Sequence, residues 1–388
     1  MKKQRIQIAD ALRGFTLLAI LLLHFIEHFD LAIYPDNENT FLATIDSVIS
    51  RLAFLTFKGK AYAIFSLLFG FSFYIQVKNW EEKGYDFKGR FIWRLFILFI
   101  IGYFHSLFYL GDVLTVLALL GLPLIFLYKL DTKKLFSFSL LFFLQIPSII
   151  YFFLSHFFNV HIPINVQENT ALVSDTYAYG SLTEVIKFNA TEGFLEKWHF
   201  IISTGRYSQM FGLFILGIII GRIKLFDELI HCRNKIKKIF LISTSLAIIF
   251  FGVYSIIPKL HLNIFYSDLF EFIFKSYANL AMTFVLLIIF IALYEKIKGE
   301  KTADYFASYG RMSLTNYLMQ SVFAVTLLYG AFLGLYKFIN PSLGIIIAIL
   351  FFMVHIVISY LWFKKFSYGP VEWFWRKLTL LSFSKNKF

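Results

Sequence analysis

Four groups of ionisable side chains stand inside apolar stretches of this 388-residue sequence. Each such residue costs ~2.5–3.5 kcal/mol near the centre of a bilayer, so each is a candidate functional site by default. The first group is Asp10 and Arg13, three apart and able to pair on one helix face, with His24 eleven residues beyond Arg13. At ~1.5 Å per residue, that places His24 roughly 16 Å deeper along the helix. The second is Lys58 and Lys60, leading into Phe65-Ser66-Leu67-Leu68-Phe69-Gly70. The third is Arg90 and Arg94, four apart, with His105 eleven residues past Arg94 and Asp112 one turn beyond the helix. The fourth begins at Arg311 and continues as Ser313, Asn316 and Gln320, a polar stripe at helical spacing.

Depth sorts these residues by chemistry. Arg13, Arg90, Arg94 and Arg311 fall at one face, where cations can hold a phosphorylated donor. His24, Lys60, His105 and Asp112 fall toward the opposite half, where histidines can move protons. A carboxylate beside His105 would fix its tautomer and raise its basicity. Each position also has a plain structural account. Arg13 can anchor a helix, and His24 can bond to a neighbouring helix. Both lysines can snorkel to water. Asp112 can cap the next helix. Ser313, Asn316 and Gln320 can hydrogen-bond between helices.

The elements that carry these residues are helices of membrane length. Only 16% of residues are charged and mean hydropathy is +0.70, against about a quarter charged in soluble domains. Stretches of ~20 apolar residues lie near 12–32, 52–77, 91–110, 113–129 and 135–157. A second set lies near 206–222, 238–258, 269–294, 312–336 and 342–363. The expected fold is all-α: a polytopic membrane bundle of about ten spans with both ends in the cytoplasm. Most of the 37 lysines and arginines fall in the loops this topology places inside, which accounts for the net charge of +13 without nucleic acid. Lys2, Lys3 and Arg5 precede an apolar run with no small-residue cleavage site, so this run reads as a retained first helix. The chain divides into a five-helix bundle (1–158), an external insert (159–205) and a second five-helix bundle (206–388). Within the insert, 182–202 has helical spacing and reads as an interfacial helix. The halves show no sequence repeat, which argues against many transporter folds. The single Cys232 excludes an intrachain disulfide and a cysteine metal site. No Walker loop, dinucleotide fingerprint or other metal motif is present, and no permanently bound cofactor is expected.

Several blocks resemble the YeiB-like family, a domain of unknown function numbered 418. They are Arg5…Asp10-Ala-Leu-Arg13-Gly14-Phe15, Lys60…Phe65-Ser66-Leu67-Leu68-Phe69-Gly70, and Arg94…Gly102…His105…Gly111-Asp112. The most specific are Gly310-Arg311-Met312-Ser313-Leu314-Thr315-Asn316-Tyr317-Leu318-Met319-Gln320-Ser321 and Gly369-Pro370-Val371-Glu372-Trp373-Phe374-Trp375-Arg376. The opening helix is also similar to that of transmembrane acyltransferases, in which an Arg-Gly motif precedes a histidine or asparagine; His24 stands at that place. This chain departs from their Arg-x-x-Arg pair, since Arg90 and Arg94 lie one residue further apart. The resemblance implies acyl transfer in a bacterial plasma membrane. Acyl-CoA would be co-substrate at Arg13, Arg90, Arg94 and Arg311, and an envelope sugar or lipid would be acceptor. His24 or His105 would be the base, Asp112 its orienting partner, and Asp10, Lys60, Asn316 and Gln320 the polar core. Two other readings stand beside it: a proton-coupled transporter using the same residues, and a non-catalytic scaffold or sensor.

Overall fold

The computed structural model describes residues 6–35, 40–84, 87–158, 167–230 and 232–381; the basic head at Lys2, Lys3 and Arg5 lies outside them. The described chain is helical throughout, with no strand among the described residues. In order the helices are α1 (Gln7–Ile26), α2 (Thr40–Phe57), α3 (Ala61–Glu81), α4 (Lys88–Ser106), α5 (Leu114–Gly121) and α6 (Leu124–Leu127). Then come α7 (Thr132–Phe143), α8 (Ile146–Phe157), α9 (Gln167–Tyr179), α10 (Leu182–Ala190), α11 (Glu192–Ser203) and α12 (Arg206–Arg222). The chain closes with α13 (Leu225–Ile230), α14 (Arg233–Ile256), α15 (Ile264–Ile297), α16 (Lys301–Arg311), α17 (Ser313–Leu328), α18 (Pro341–Lys365) and α19 (Pro370–Leu381).

Helix occupies each of the ten apolar stretches read from the sequence. Among the described residues, five helical segments are long and apolar enough to cross a membrane, or six if a bent pair counts as one span. The chain is a membrane helical protein by that measure. Along α14 the buried residues are only Ile236, Ser243 and Ala247, while Ile242, Ile248 and Ile249 stand exposed. Water does not tolerate apolar surface on that scale, and hydrocarbon does.

The stretch 135–157 is two helices, α7 and α8, bent by 41°. Pro147 has no N–H for a continuing ladder, and Gln145 takes a left-handed backbone at φ 58°. The Gln145 amide is anchored on both sides, donating to Ser276 Oγ (2.8 Å) and accepting from Ser148 Oγ (2.9 Å). The stretch 312–336 is likewise shorter as a helix: α17 ends at Leu328.

The two sequence halves interleave. α1 packs against α16 and α18, and α12 packs against α3 and α7. Two of these contacts depend on backbone meeting backbone. A Cβ on Gly310 would lie 1.8 Å from the Asp10 carbonyl oxygen, and one on Gly70 would lie 1.9 Å from that of Phe214. Small residues admit such approach, which explains why glycine stands in two of the family-like blocks. The core follows the interleaving, since Leu17, Phe73, Leu117, Phe214, Tyr309 and Leu328 belong to one continuous apolar cluster.

The insert is built into the bundle. Its stretch 182–202 is two helices, α10 and α11, rather than one helix along the surface. α10 opens on a capping box between Ser181 and Glu184. Asn189 donates to the Leu107 carbonyl at 3.1 Å, and Tyr177 accepts at its own carbonyl from Gly330 N at 2.9 Å. Asn189 and Lys197 are both buried.

Candidate functional site

Antiparallel packing gives the bundle two chemically distinct ends. The start of α1, the start of α4, the start of α17 and all of α19 share one, here the terminal end. The last turns of α1 and α4 and the starts of α3 and α12 share the other, the far end.

At the far end, His105 sits in the last turn of α4 and is buried. The chain turns at Gly111 and returns as α5. Asp112 faces back across that turn, 2% exposed. Its Oδ1 lies 2.9 Å from His105 Nδ1. Its Oδ2 accepts from Thr115 N and from Thr115 Oγ1, both at 3.0 Å. One carboxylate therefore orients the imidazole with one oxygen and caps α5 with the other, so both sequence accounts of Asp112 hold at once.

The tautomer of His105 follows from this geometry. An ionised carboxylate only accepts, so Nδ1 carries a proton, and in the neutral ring Nε2 holds the lone pair. Among the described residues that buried Nε2 has no hydrogen-bond partner. The ring lies 5.2 Å from that of Tyr317 and 6.0 Å from that of Tyr109, centroid to centroid. Tyr109 links the two histidines, because its hydroxyl is 2.6 Å from His24 Nδ1.

Lys197 arrives from α11, 6% exposed. Its ammonium donates to Thr115 Oγ1 at 2.9 Å and lies 4.0 Å from Asp112 Oδ2. Burial pulls its pKa down and the Asp112 charge pushes back. At the mouth of this region Lys58 pairs with Glu27 at 2.9 Å. The Arg206 guanidinium lies over Phe200 (4.4 Å) and Tyr62 (4.9 Å). Lys60 is buried at the start of α3 and, among the described residues, shares no hydrogen bond or ion pair with either histidine.

The terminal end uses its polar groups differently. Asp10 and Arg13 pair as their spacing implies, and Arg13 also donates to Ser72 Oγ at 2.6 Å. Arg90 lies over Trp80 (4.1 Å), Arg94 over Trp375 (3.6 Å) and Arg311 over Phe363 (3.9 Å). Trp375 Nε1 donates to the Arg94 carbonyl at 2.9 Å, fixing α19 to α4. The stripe on α17 binds helices together. Asn316 donates to Tyr309 O (3.0 Å) and Ser359 Oγ (3.1 Å), and Gln320 donates to Tyr309 Oη (2.8 Å) and Leu17 O (3.3 Å).

Glu372 of α19 caps α17 from outside the helix. Its Oε1 accepts from Leu314 N (2.7 Å) and Thr315 N (3.1 Å), and its Oε2 accepts from Thr315 Oγ1 (2.6 Å). Burial pushes its carboxyl up, against these hydrogen bonds. This contact joins the two C-terminal sequence blocks.

Residues 220–382 match the family described as "Protein of unknown function (DUF418)". Over that C-terminal stretch the chain resembles the DUF418 family. The match contains α17, α19 and the Glu372 cap, but not His24, His105 or Asp112. The relatives extend further. YxaH of Bacillus subtilis, described as uncharacterized, is 29% identical over 98% of this chain and 96% of its own length. A 39.9 kDa protein from an amylase 3' region of Bacillus acidopullulyticus is 25% identical over 97% of this chain and 94% of its own. YeiB of Escherichia coli is 36% identical over 24% of this chain and 23% of its own. No solved structure matches.

The structure thus brings His24, His105 and Asp112 together and leaves the four arginines with separate partners. Sequence reasoning missed Tyr109, Thr115, Lys197 and Glu372. Thr115 was legible as the third residue after a candidate N-cap. Lys197, 85 positions from Asp112, carried no spacing signal.

Proposed function

We propose that this chain is an acyltransferase of the bacterial plasma membrane. It moves an acyl group from a cytoplasmic acyl-CoA to a hydroxyl or amine of an envelope sugar or lipid. The observation that carries this reading is His105 Nε2: buried, with no partner among the described residues, on a ring whose Nδ1 is bonded to Asp112. That is the arrangement of a general base. Nε2 takes the acceptor's proton as its oxygen or nitrogen bonds to the thioester carbonyl carbon. The C–S bond then breaks, and the CoA sulfur leaves with a proton returned from His105. Tyr109 and His24 line the same region and orient the acceptor.

The topology of this reading has about ten spans with both ends inside, supported by helix in every apolar stretch and by the lysines and arginines of the intervening loops. Donor phosphates would engage Arg13, Arg90, Arg94 and Arg311 in exchange for their present contacts. Charge-assisted bonds to phosphate would replace the half-buried cation–π contacts of Arg90, Arg94 and Arg311 and the Asp10 ion pair of Arg13. Asp10, Lys60, Asn316 and Gln320 support the helices that hold these groups.

A second reading, proton-coupled transport, is favoured by Glu27, His24, His105, Asp112 and Lys197 lying together in one half of the bundle. Label transfer separates the two. Membranes holding the chain are given acetyl-CoA labelled in its acetyl group, and extracted envelope lipid and glycan are counted. Incorporation that falls roughly 10²–10⁴-fold in His105→Ala supports transfer. Full incorporation in His105→Ala would overturn the mechanism, whatever His24→Ala does. Substrate flux into proteoliposomes with no acylated product would replace it with transport.

A further inference from the structure

Away from the histidines, a crevice of 140 Å³ opens at the terminal end between α3 and the α12–α13 turn. Lys78 and Lys224 form its rim, Tyr74 its middle, and Phe71, Ile75 and Phe226 its floor. Both lysines are exposed, and neither has an ion pair or side-chain hydrogen bond among the described residues. We infer that this crevice binds an anionic phospholipid, with the phosphate between Lys78 and Lys224 and an acyl chain against Phe71 and Phe226.

The depth order of the lining fits that occupant. Lys78 lies three residues before the end of α3, and Lys224 lies two past the end of α12. Both therefore stand where the two helices leave the apolar layer, at headgroup level. Phe71 is seven residues before Lys78, roughly 10 Å deeper at 1.5 Å per residue, where acyl chains begin. Charge outside, a phenol between and hydrocarbon within is the sequence of polarity along a phospholipid. Basic pockets between membrane helices commonly hold such headgroups.

The crevice is also built rather than left over. Arg222, the neighbouring cation, is turned away because its guanidinium donates to the carbonyls of Tyr128 and Leu130. Lys224 takes a left-handed backbone at φ 53°, which puts it at the rim. Gly221 lets the Tyr74 ring come close to α12; a Cβ there would come within 2.4 Å of that ring.

The test is native mass spectrometry of the full chain in detergent, with phosphatidylglycerol or phosphatidylcholine added. The wild type is expected to retain phosphatidylglycerol over phosphatidylcholine. The double variant Lys78→Gln/Lys224→Gln should bind it roughly thirtyfold more weakly. Lys133→Gln/Lys237→Gln, which removes the same charge at exposed positions outside the crevice, should not. Equal retention of both lipids, an unaffected double variant, or equal loss in the control pair would each overturn the assignment. So would displacement of phosphatidylglycerol by inorganic phosphate, which would give the lysines to a free anion. None of these outcomes depends on whether the chain transfers acyl groups.

Discussion

The two ends of the bundle contain similar residues and use them in opposite ways. At the terminal end Arg13, Arg94 and Glu372 each meet another helix, and the result is α1 tied to α3 and α19 tied to both α4 and α17. At the far end His24, His105, Asp112 and Lys197 are as well buried, yet one nitrogen is left over. Rigid polar surroundings and an unused lone pair are the conditions for proton transfer, whereas satisfied pairs are the conditions for assembly. Conspicuous charge in a membrane helix therefore does not by itself mark chemistry; at the far end it is an open Nε2 on a ring already oriented by Asp112 that points to proton transfer.

The contrast breaks most severely if its scaffold goes first. Gly310→Val forces a side chain into the Asp10 carbonyl, so α1 and α16 should separate and monodisperse protein should be lost on size-exclusion chromatography. Gly252→Val, with nothing within 4 Å, should elute as the wild type does. The next largest effect is expected at Asp112. Asp112→Leu strands Lys197 and should cost about 3–5 kcal/mol. The double variant Asp112→Leu/Lys197→Met should recover part of that loss in thermal unfolding, and no recovery would mean that the two are not coupled.

Two smaller effects sharpen the comparison. His105→Asn, whose amide can still donate to Asp112 Oδ1, should keep most of the wild-type stability while abolishing label transfer. Asn316→Ala should show the reverse, losing ~1–3 kcal/mol because Ser359 and the Tyr309 carbonyl lose their partner, with transfer lowered only in proportion to folded protein. The smallest concerns pH. Glu372 ionises less readily folded than unfolded, so the folded state holds its proton longer and stability falls as pH rises through and above the usual glutamate range. Glu372→Gln should flatten that slope in melting temperature, and an unchanged slope would mean that another group sets it.

Much of this was legible in the sequence because a bilayer imposes simple rules. Apolar length located the helices, and residue spacing located depth, so His24 and His105 were placed in the same half before any contact was known. The pairings Asp10–Arg13 and His105–Asp112 were readable because they are local. What stayed hidden was long-range. Nothing near Lys197 says that α11 turns inward, since an external helix and a plug share the same amphipathic pattern. The arginines misled for a related reason: spacing gives depth but not azimuth, and residues at one depth can face four different neighbours. The break at Gln145 was half-visible in Pro147, but the left-handed residue and its two serine anchors are tertiary.

The seam where Gly310 of α16 packs on Asp10 and Gly14 of α1 also has a meaning in time. Gln320 meets the Leu17 carbonyl across 303 residues of chain. At about 5–20 residues per second, α1 leaves the ribosome roughly 15–60 s before its C-terminal neighbours α16, α17 and α18 are made. During that interval the groove at Asp10 and Gly14 that Gly310 will fill has no final neighbour. Insertion factors or temporary helix contacts must shelter it, and a chain truncated before α16 would present that groove to the cell's quality control.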